Sequence, residues 1–180
     1  MLMVAFRALP VVLACWLGSA AAAGPAPAAR IPVTVVKVSD GDTLQVREMK
    51  HSIRIASMDS PELGHGRDRP GQPYAQASRK ALLDLVGRSR AVEAVCYERD
   101  RYDRHICDLF VDGESVSRTL VGMGMAWANE AAGGRYLRDR QLLDLQRKAR
   151  AEQVGLWAAP GQTPPWEWRS ACWRDGHCQD

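Results

Sequence analysis

Three short strings in this chain carry side chains that can do chemistry together. In Asp40-Gly41-Asp42-Thr43 two carboxylates flank a glycine. Alone, that pattern is a plain turn before it is a metal site. From Arg54 to Glu62 the string RIASMDSPE puts an arginine on an alternating segment and Asp59 and Glu62 at its end, with Pro61 stiffening the bend between them. Alone, it reads as a strand running into an acidic surface loop. The third string, Asp100-Arg101-Tyr102-Asp103-Arg104, alone reads as a solvated hairpin turn. Together they make chemical sense. Asp42 and Asp59 can bind a hard divalent cation through oxygen, with a backbone carbonyl and waters completing the shell. Arg54 and Arg104 can fork onto a phosphate. Glu62 can position or deprotonate water. These are the parts that phosphodiester hydrolysis needs.

Such residues work only if strands and turns bring them together. Val33–Val38 is β-branched and strand-like, Ser39–Asp42 is a turn, and Thr43–Arg47 and His51–Ala56 alternate apolar with polar. The first part is therefore a three-stranded meander. Residues 59–73 are rich in Pro, Gly and charge and form a long loop, of the kind that carries function. A helix starts at Tyr74, with Tyr74, Ala77, Ala81, Leu82 and Leu85 on one face and Gly87 as its stop. Ala91–Tyr97 and His105–Val111 are two further strands. If Asp100–Asp103 form a four-residue turn, Arg99 faces Arg104 and Cys96 faces Cys107, at β-carbon distances that suit a disulfide. Cys172 and Cys178 then close a small C-terminal loop. Val116, Leu120 and Met123 mark a short helix ending at Gly122 or Gly124, and a last helix is expected from Tyr136 to Ala151. The tail from Pro160 is expected to wrap the surface. Five strands and three helices predict an α+β fold: a five-stranded oligonucleotide-binding (OB) type β-barrel with three packed α-helices.

At 180 residues, 46% hydrophobic and 25% charged, the chain suits one domain with short tails and excludes a fibre or a largely disordered protein. A formal charge of +3 neither establishes nor excludes nucleic-acid binding. Residues 1–23 read as a secretory signal: Arg7 as the only charge, an apolar run from Ala8 to Leu17, and alanines suited to cleavage after Ala23. The run is too short to span a bilayer comfortably. The protein is thus expected to be secreted or periplasmic, without a stable membrane span. A lipid anchor on Cys15 is the alternative, which Leu13 fits poorly. Residues 24–31 are a lead-in, 32–158 the domain and 159–180 the Pro/Trp-rich tail. The four remaining cysteines, an even number in an exported chain, suggest disulfides.

The strings VSDGDTLQV, RIASMDSPE, DRYDRHICDLFVDG and GLW, in this order over about residues 33–157, resemble the thermonuclease family, the staphylococcal-nuclease-like proteins. The resemblance implies an OB-type barrel with three helices and a calcium-dependent phosphodiesterase acting on DNA and/or RNA; the protein is expected to be a monomer. By position it implies that Asp42 and Asp59 are the calcium carboxylates. Ser60 stands where the family usually has threonine and lends its backbone carbonyl, and Asp40 is a nearby acidic residue. Arg54 and Arg104 match the catalytic arginines and Glu62 the catalytic glutamate. Arg101 and Tyr102 match residues near the terminal phosphate of a bound nucleotide. Asp103 departs from the usual glycine and adds negative charge beside the phosphate site, though aspartate tolerates left-handed geometry better than most residues. Trp127 or Tyr136 could stack a base, with core packing as the alternative for Trp127. The Pro164–Trp168 tail looks like that of bacterial members. The rival reading is a weakly catalytic or inactive nucleic-acid-binding module of the same fold, against which Arg54, Glu62 and Arg104 all stand. A zinc site at Cys172, His177 and Cys178 lacks the usual ligand spacing.

Overall fold

Short runs of alternating or β-branched residues give short strands. The computed structural model describes residues 29–87 and 91–178. Their order is β1 (Ile31–Pro32), β2 (Val35–Val38), β3 (Thr43–Val46), β4 (Ile53–Ile55), β5 (Met58–Asp59), α1 (Ala75–Val86), β6 (Val92–Arg99), β7 (His105–Val111), β8 (Glu114–Ser115), α2 (Val116–Gly122), β9 (Trp127–Ala128), a kinked turn α3 (Ala131–Gly134), α4 (Gln141–Ala151), a 3-10 turn (Gly155–Ala158), α5 (Pro165–Trp168) and a π-helical turn (Arg169–Arg174). The signal-like segment and Cys15 lie outside the described residues.

The sheet runs β1-β6-β7-β4-β3-β2, with β8 added to β7, while β5 and β9 pair apart from it. The longer strands β2, β3, β4, β6 and β7 carry the curled OB-type sheet of an α+β fold, and the meander β2-β3-β4 is antiparallel as expected. One pairing decides where the chemistry falls. β4 runs parallel to β7, with Ile53 opposite His105 and Arg54 opposite Ile106. The hairpin turn that precedes β7 therefore ends beside the strand that carries Arg54.

Alternation buries one face. Leu44, Ile53, Ile55 and Leu109 form the middle of the core, closed by Leu82 and Val86 of α1, Leu120 and Val121 of α2, and Leu142 and Ala149 of α4. The GLW string ties the end of α4 to this core. Leu156 is buried, its N–H donates to Gly124 O at 2.9 Å, and Trp157 packs edge-on against Trp127 at 5.2 Å.

Four expectations need correction. Arg99 faces His105, not Arg104, because a bulge at Tyr97 inserts one residue between the Cys96–Cys107 and Glu98–Ile106 pairs. Cys96 still lies opposite Cys107, and the two are bridged, as are Cys172 and Cys178. Helix α1 begins at Ala75, since Tyr74 takes a left-handed φ of 67°. Its buried face is Ala75, Ser78, Leu82 and Val86, because the Ser78 hydroxyl donates to Met125 O and turns that side inward. The last helix begins at Gln141. The backbone N–H groups of Arg138 and Asp139 are drawn off by Ser57 Oγ at 3.0 and 3.1 Å, and the Asp139 carboxylate accepts from Gln141 N–H at 3.1 Å. The tail, finally, does more than cover surface: it buries Trp168 and Cys172 and reaches into the cleft described next.

Candidate active site

Each site residue sits where a strand ends or a turn begins. Asp42 closes the β2–β3 turn, and only glycine fits at position 41: a Cβ there would lie 2.7 Å from the Ser60 Cβ and 2.9 Å from the Ser78 Cβ. This close approach brings Asp42 against the end of β5. Asp42 Oδ2 accepts from the Ser60 N–H at 2.9 Å and the Ser60 hydroxyl at 3.0 Å, and Oδ1 accepts from the Thr43 hydroxyl at 3.0 Å. The Asp42 N–H donates in turn to Asp40 Oδ1 at 3.0 Å.

Arg54 spans the two expected cation ligands. Its Nη1 faces Asp42 and its Nη2 donates to Asp59 Oδ1 at 2.6 Å. Asp59 is fully buried, so its charge demands such partners. A second arginine supplies the rest: Arg169 donates to Asp59 Oδ2 at 2.9 Å and Oδ1 at 3.3 Å, and to Glu62 Oε1. Arg104 lies across the cleft. Asp100 orients it, accepting from Nε at 2.8 Å and from Nη2 at 2.7 Å. Asp103, next to Arg104 in sequence, has φ 64°, the left-handed turn geometry that its side chain tolerates.

Asp40, Asp42, Arg54, Ser60, Glu62, Arg101, Tyr102 and Arg104 line one cleft of about 590 Å³, together with Tyr136 and Arg169. Asp59 lies under its floor, reached through Arg54 and Arg169. Tyr136 is exposed at the cleft, whereas Trp127 is buried in the core and cannot meet a base there. His65 packs against Trp173, outside the cleft. Arg169 is the residue that sequence reasoning missed. The one available sign was a cation following Trp166-Glu167-Trp168 in a string otherwise read as covering.

The electrostatics mark an excess of negative charge. Burial and the Asp42 charge push the Asp40 carboxyl up to about 8. Burial also pushes Glu62 up to about 7, with Asp42 and Asp59 adding to the rise and Arg169 working against it. Asp42 is buried too, but Arg54 and the Ser60 and Thr43 hydrogen bonds outweigh that and hold it below the usual carboxylate range. Four carboxylates thus meet two guanidiniums. Among the described residues no three His, Cys, Asp or Glu side chains converge on a common point. Asp42 and Asp59, bridged by Arg54, offer hard carboxylate oxygens, a donor type that suits a divalent cation keeping several waters.

An OB-type sheet thus carries a cleft that gathers carboxylates and arginines from separate turns, the layout of a protein that handles phosphate esters. The family model described as staphylococcal nuclease homologue matches residues 52–159. The chain is 34% identical over 138 residues to an uncharacterized endonuclease of Escherichia coli O157:H7, covering 75% of this chain and 82% of that protein. It is 31% identical over 148 residues to a micrococcal nuclease of Shigella flexneri, covering 76% and 79%. It is 35% identical over 120 residues to an uncharacterized 38.1 kDa protein of Capnoides sempervirens, of which it spans 32%. The chain belongs to the staphylococcal nuclease homologue family.

Proposed function

We propose that this protein is an exported, calcium-dependent nuclease that hydrolyses phosphodiester bonds of DNA and/or RNA. The observation that carries the reading is the meeting of Arg54 and Glu62, from one segment, with Arg104, from the β6–β7 turn, around one cleft lined by Asp42, with Asp59 buried beneath it against Arg54. Export rests on the signal-like residues 1–23 and on cysteines placed in bridging pairs. Among the described residues no helix is long and apolar enough to cross a membrane.

Asp42, Asp59 and the Ser60 carbonyl would hold the cation, with Asp40 orienting the Asp42 main chain. A bound calcium ion would supply fixed positive charge against a phosphate oxygen and lower the cost of charge growing there. The chain's own groups do the rest. Arg54 and Arg104 approach the phosphate from two sides and stabilise charge on its equatorial oxygens as the attacking oxygen bonds. Glu62 takes the proton from the attacking water as its oxygen bonds to phosphorus and the phosphorus–ester oxygen bond breaks, and the departing oxygen takes up a proton from solvent. Arg101 and Tyr102, joined by a 2.8 Å hydrogen bond, stand at the cleft edge to receive a terminal phosphate.

Incubation of the mature protein with single-stranded DNA, in calcium and then in excess chelator, tests this reading. Calcium-dependent cleavage is expected. Binding without cleavage in both conditions would replace it with the non-catalytic binding module.

A further inference from the structure

We propose that Arg169 is a third working arginine of this cleft: a positioning residue, delivered by the C-terminal strap, that holds the Glu62 carboxylate beside Asp59 in the orientation water activation requires. The proposal rests on the nuclease reading above.

The geometry is that of a clamp. The two Nη atoms fork onto the two Asp59 oxygens at 2.9 and 3.3 Å, which fixes the guanidinium plane. The same Nη1 that bonds Asp59 Oδ1 also bonds Glu62 Oε1, so one rigid group sets the relation between the two carboxylates. Glu62 needs this, because its side chain is flexible and stands on the long loop after β5. Nor is this a surface ion pair of small consequence. The Asp59 side chain is 1% exposed, and a buried carboxylate deprived of a partner is costly.

The strap is built to deliver that group. Trp168 and Cys172, on either side of Arg169, are buried, and the Cys172–Cys178 bridge closes the turn behind them. The loop and the strap are also tied together. Gln72 accepts from the Glu62 N–H at 3.1 Å and donates to Thr163 O, while Trp173 Nε1 donates to Pro70 O at 3.0 Å. Arg169 lies ten residues past the end of the family match, which stops at residue 159. The contribution therefore comes from outside the segment that defines the family.

Arg169→Gln and Arg169→Lys, each in the wild-type and Glu62→Gln backgrounds, test the proposal. The measurements are kcat and KM on a single-stranded DNA oligonucleotide at saturating calcium, and calcium affinity by calorimetry without DNA. Arg169→Gln is expected to lower kcat by about 10- to 100-fold, the cost of a misplaced reacting group, with KM within about threefold. Calcium affinity should not fall, since the change removes a positive charge next to Asp59. Lysine should restore part of kcat. In the Glu62→Gln background the further loss should be under about threefold, because residues that act as one unit are not additive.

Unchanged kcat in Arg169→Gln overturns the proposal, as does a rise in KM alone. So do losses that multiply in the double variant, or a parallel loss of calcium affinity, which would mean a generally disordered site. Should Arg169→Gln not fold, Arg169→Lys carries the same comparison, and wild-type kcat there overturns it. A wild-type protein without calcium-dependent cleavage overturns the nuclease reading and this proposal together. An active wild type matched by an equally active Gln variant overturns this proposal alone.

Discussion

Two arginines of the cleft differ in the company they keep. Arg54 is locked between Asp42 and Asp59, whereas Arg104 is held by Asp100, away from those two proposed cation ligands. Arg104→Ala should therefore lower kcat by about 100- to 1000-fold, the cost of losing one preorganised donor, and leave calcium affinity nearly unchanged. Calorimetry beside steady-state kinetics decides this, and equal losses in both would contradict it. Glu62 makes a second test possible in the metal-free protein. Its folded pKa, near 7, lies above its ordinary value, because burial disfavours the charged carboxylate. A raised carboxyl stabilises the fold while protonated and loses that contribution as pH rises from its ordinary value through the folded one. In chelator, raising pH from about 4.5 to 8 should then cost the wild type up to about 3 kcal/mol relative to Glu62→Gln, which cannot ionise. Parallel melting curves for the two proteins across that range would refute the shift.

The elements show which parts of the site could be read in advance. Asp40–Thr43, Arg54–Glu62 and Asp100–Arg104 are local turns and strand ends, and their alternation and turn residues say where they lie. The parallel β4–β7 pair then juxtaposes them, an arrangement the four ordered strings imply through the fold. The bulge at Tyr97 was not legible. The extra residue, Tyr97, is placed by contacts beyond its own strand: its hydroxyl donates to Asp108 at 2.5 Å and Arg138 lies over its ring at 4.6 Å, both tertiary events. Arg169 was illegible for the same reason, since nothing local says where a ten-residue run past the barrel will land. The start of α4 was missed because Ser57, some 80 residues earlier, captures two N–H groups that a periodicity argument assigns to the helix.

The β6–β7 hairpin, the most extensive pairing in the sheet, presents Arg104 and carries the Cys96–Cys107 bridge close behind it. Closing a loop of sequence separation 11 should contribute up to about 3 kcal/mol. With Cys172→Ser and Cys178→Ser removing the other bridge, thiol should lower Tm by about 5–10 °C, read from melts with and without reductant. An unchanged Tm, or four free thiols on non-reducing peptide mapping of the wild type, would count against the bridge.

The whole molecule carries a formal charge of only +3, from 24 basic and 21 acidic residues. So small an excess gives little long-range attraction for nucleic acid, and substrate capture must come from local placement. The cleft provides it. Its rim bears Arg99, Arg101, Arg135 and Arg138. Two of these are partly neutralised, Arg99 by Asp103 at 2.7 Å and Arg138 by Glu98 at 2.6 Å. Arg101 and Arg135 lie over tyrosine rings, at 4.8 Å from Tyr102 and 5.9 Å from Tyr136. A strand crossing this rim would meet cation and aromatic face together, which suits unpaired bases with their phosphates. Each phosphate contact on a single strand steepens the fall of log affinity with log salt by about 0.7. Arg101→Ala with Arg135→Ala should therefore raise KM, change kcat little, and flatten that slope by roughly 1.4 over a sodium chloride series at saturating calcium. A slope equal to the wild type's would mean that the strand enters over another face, and that this aromatic-and-arginine rim is a solvated surface rather than a track.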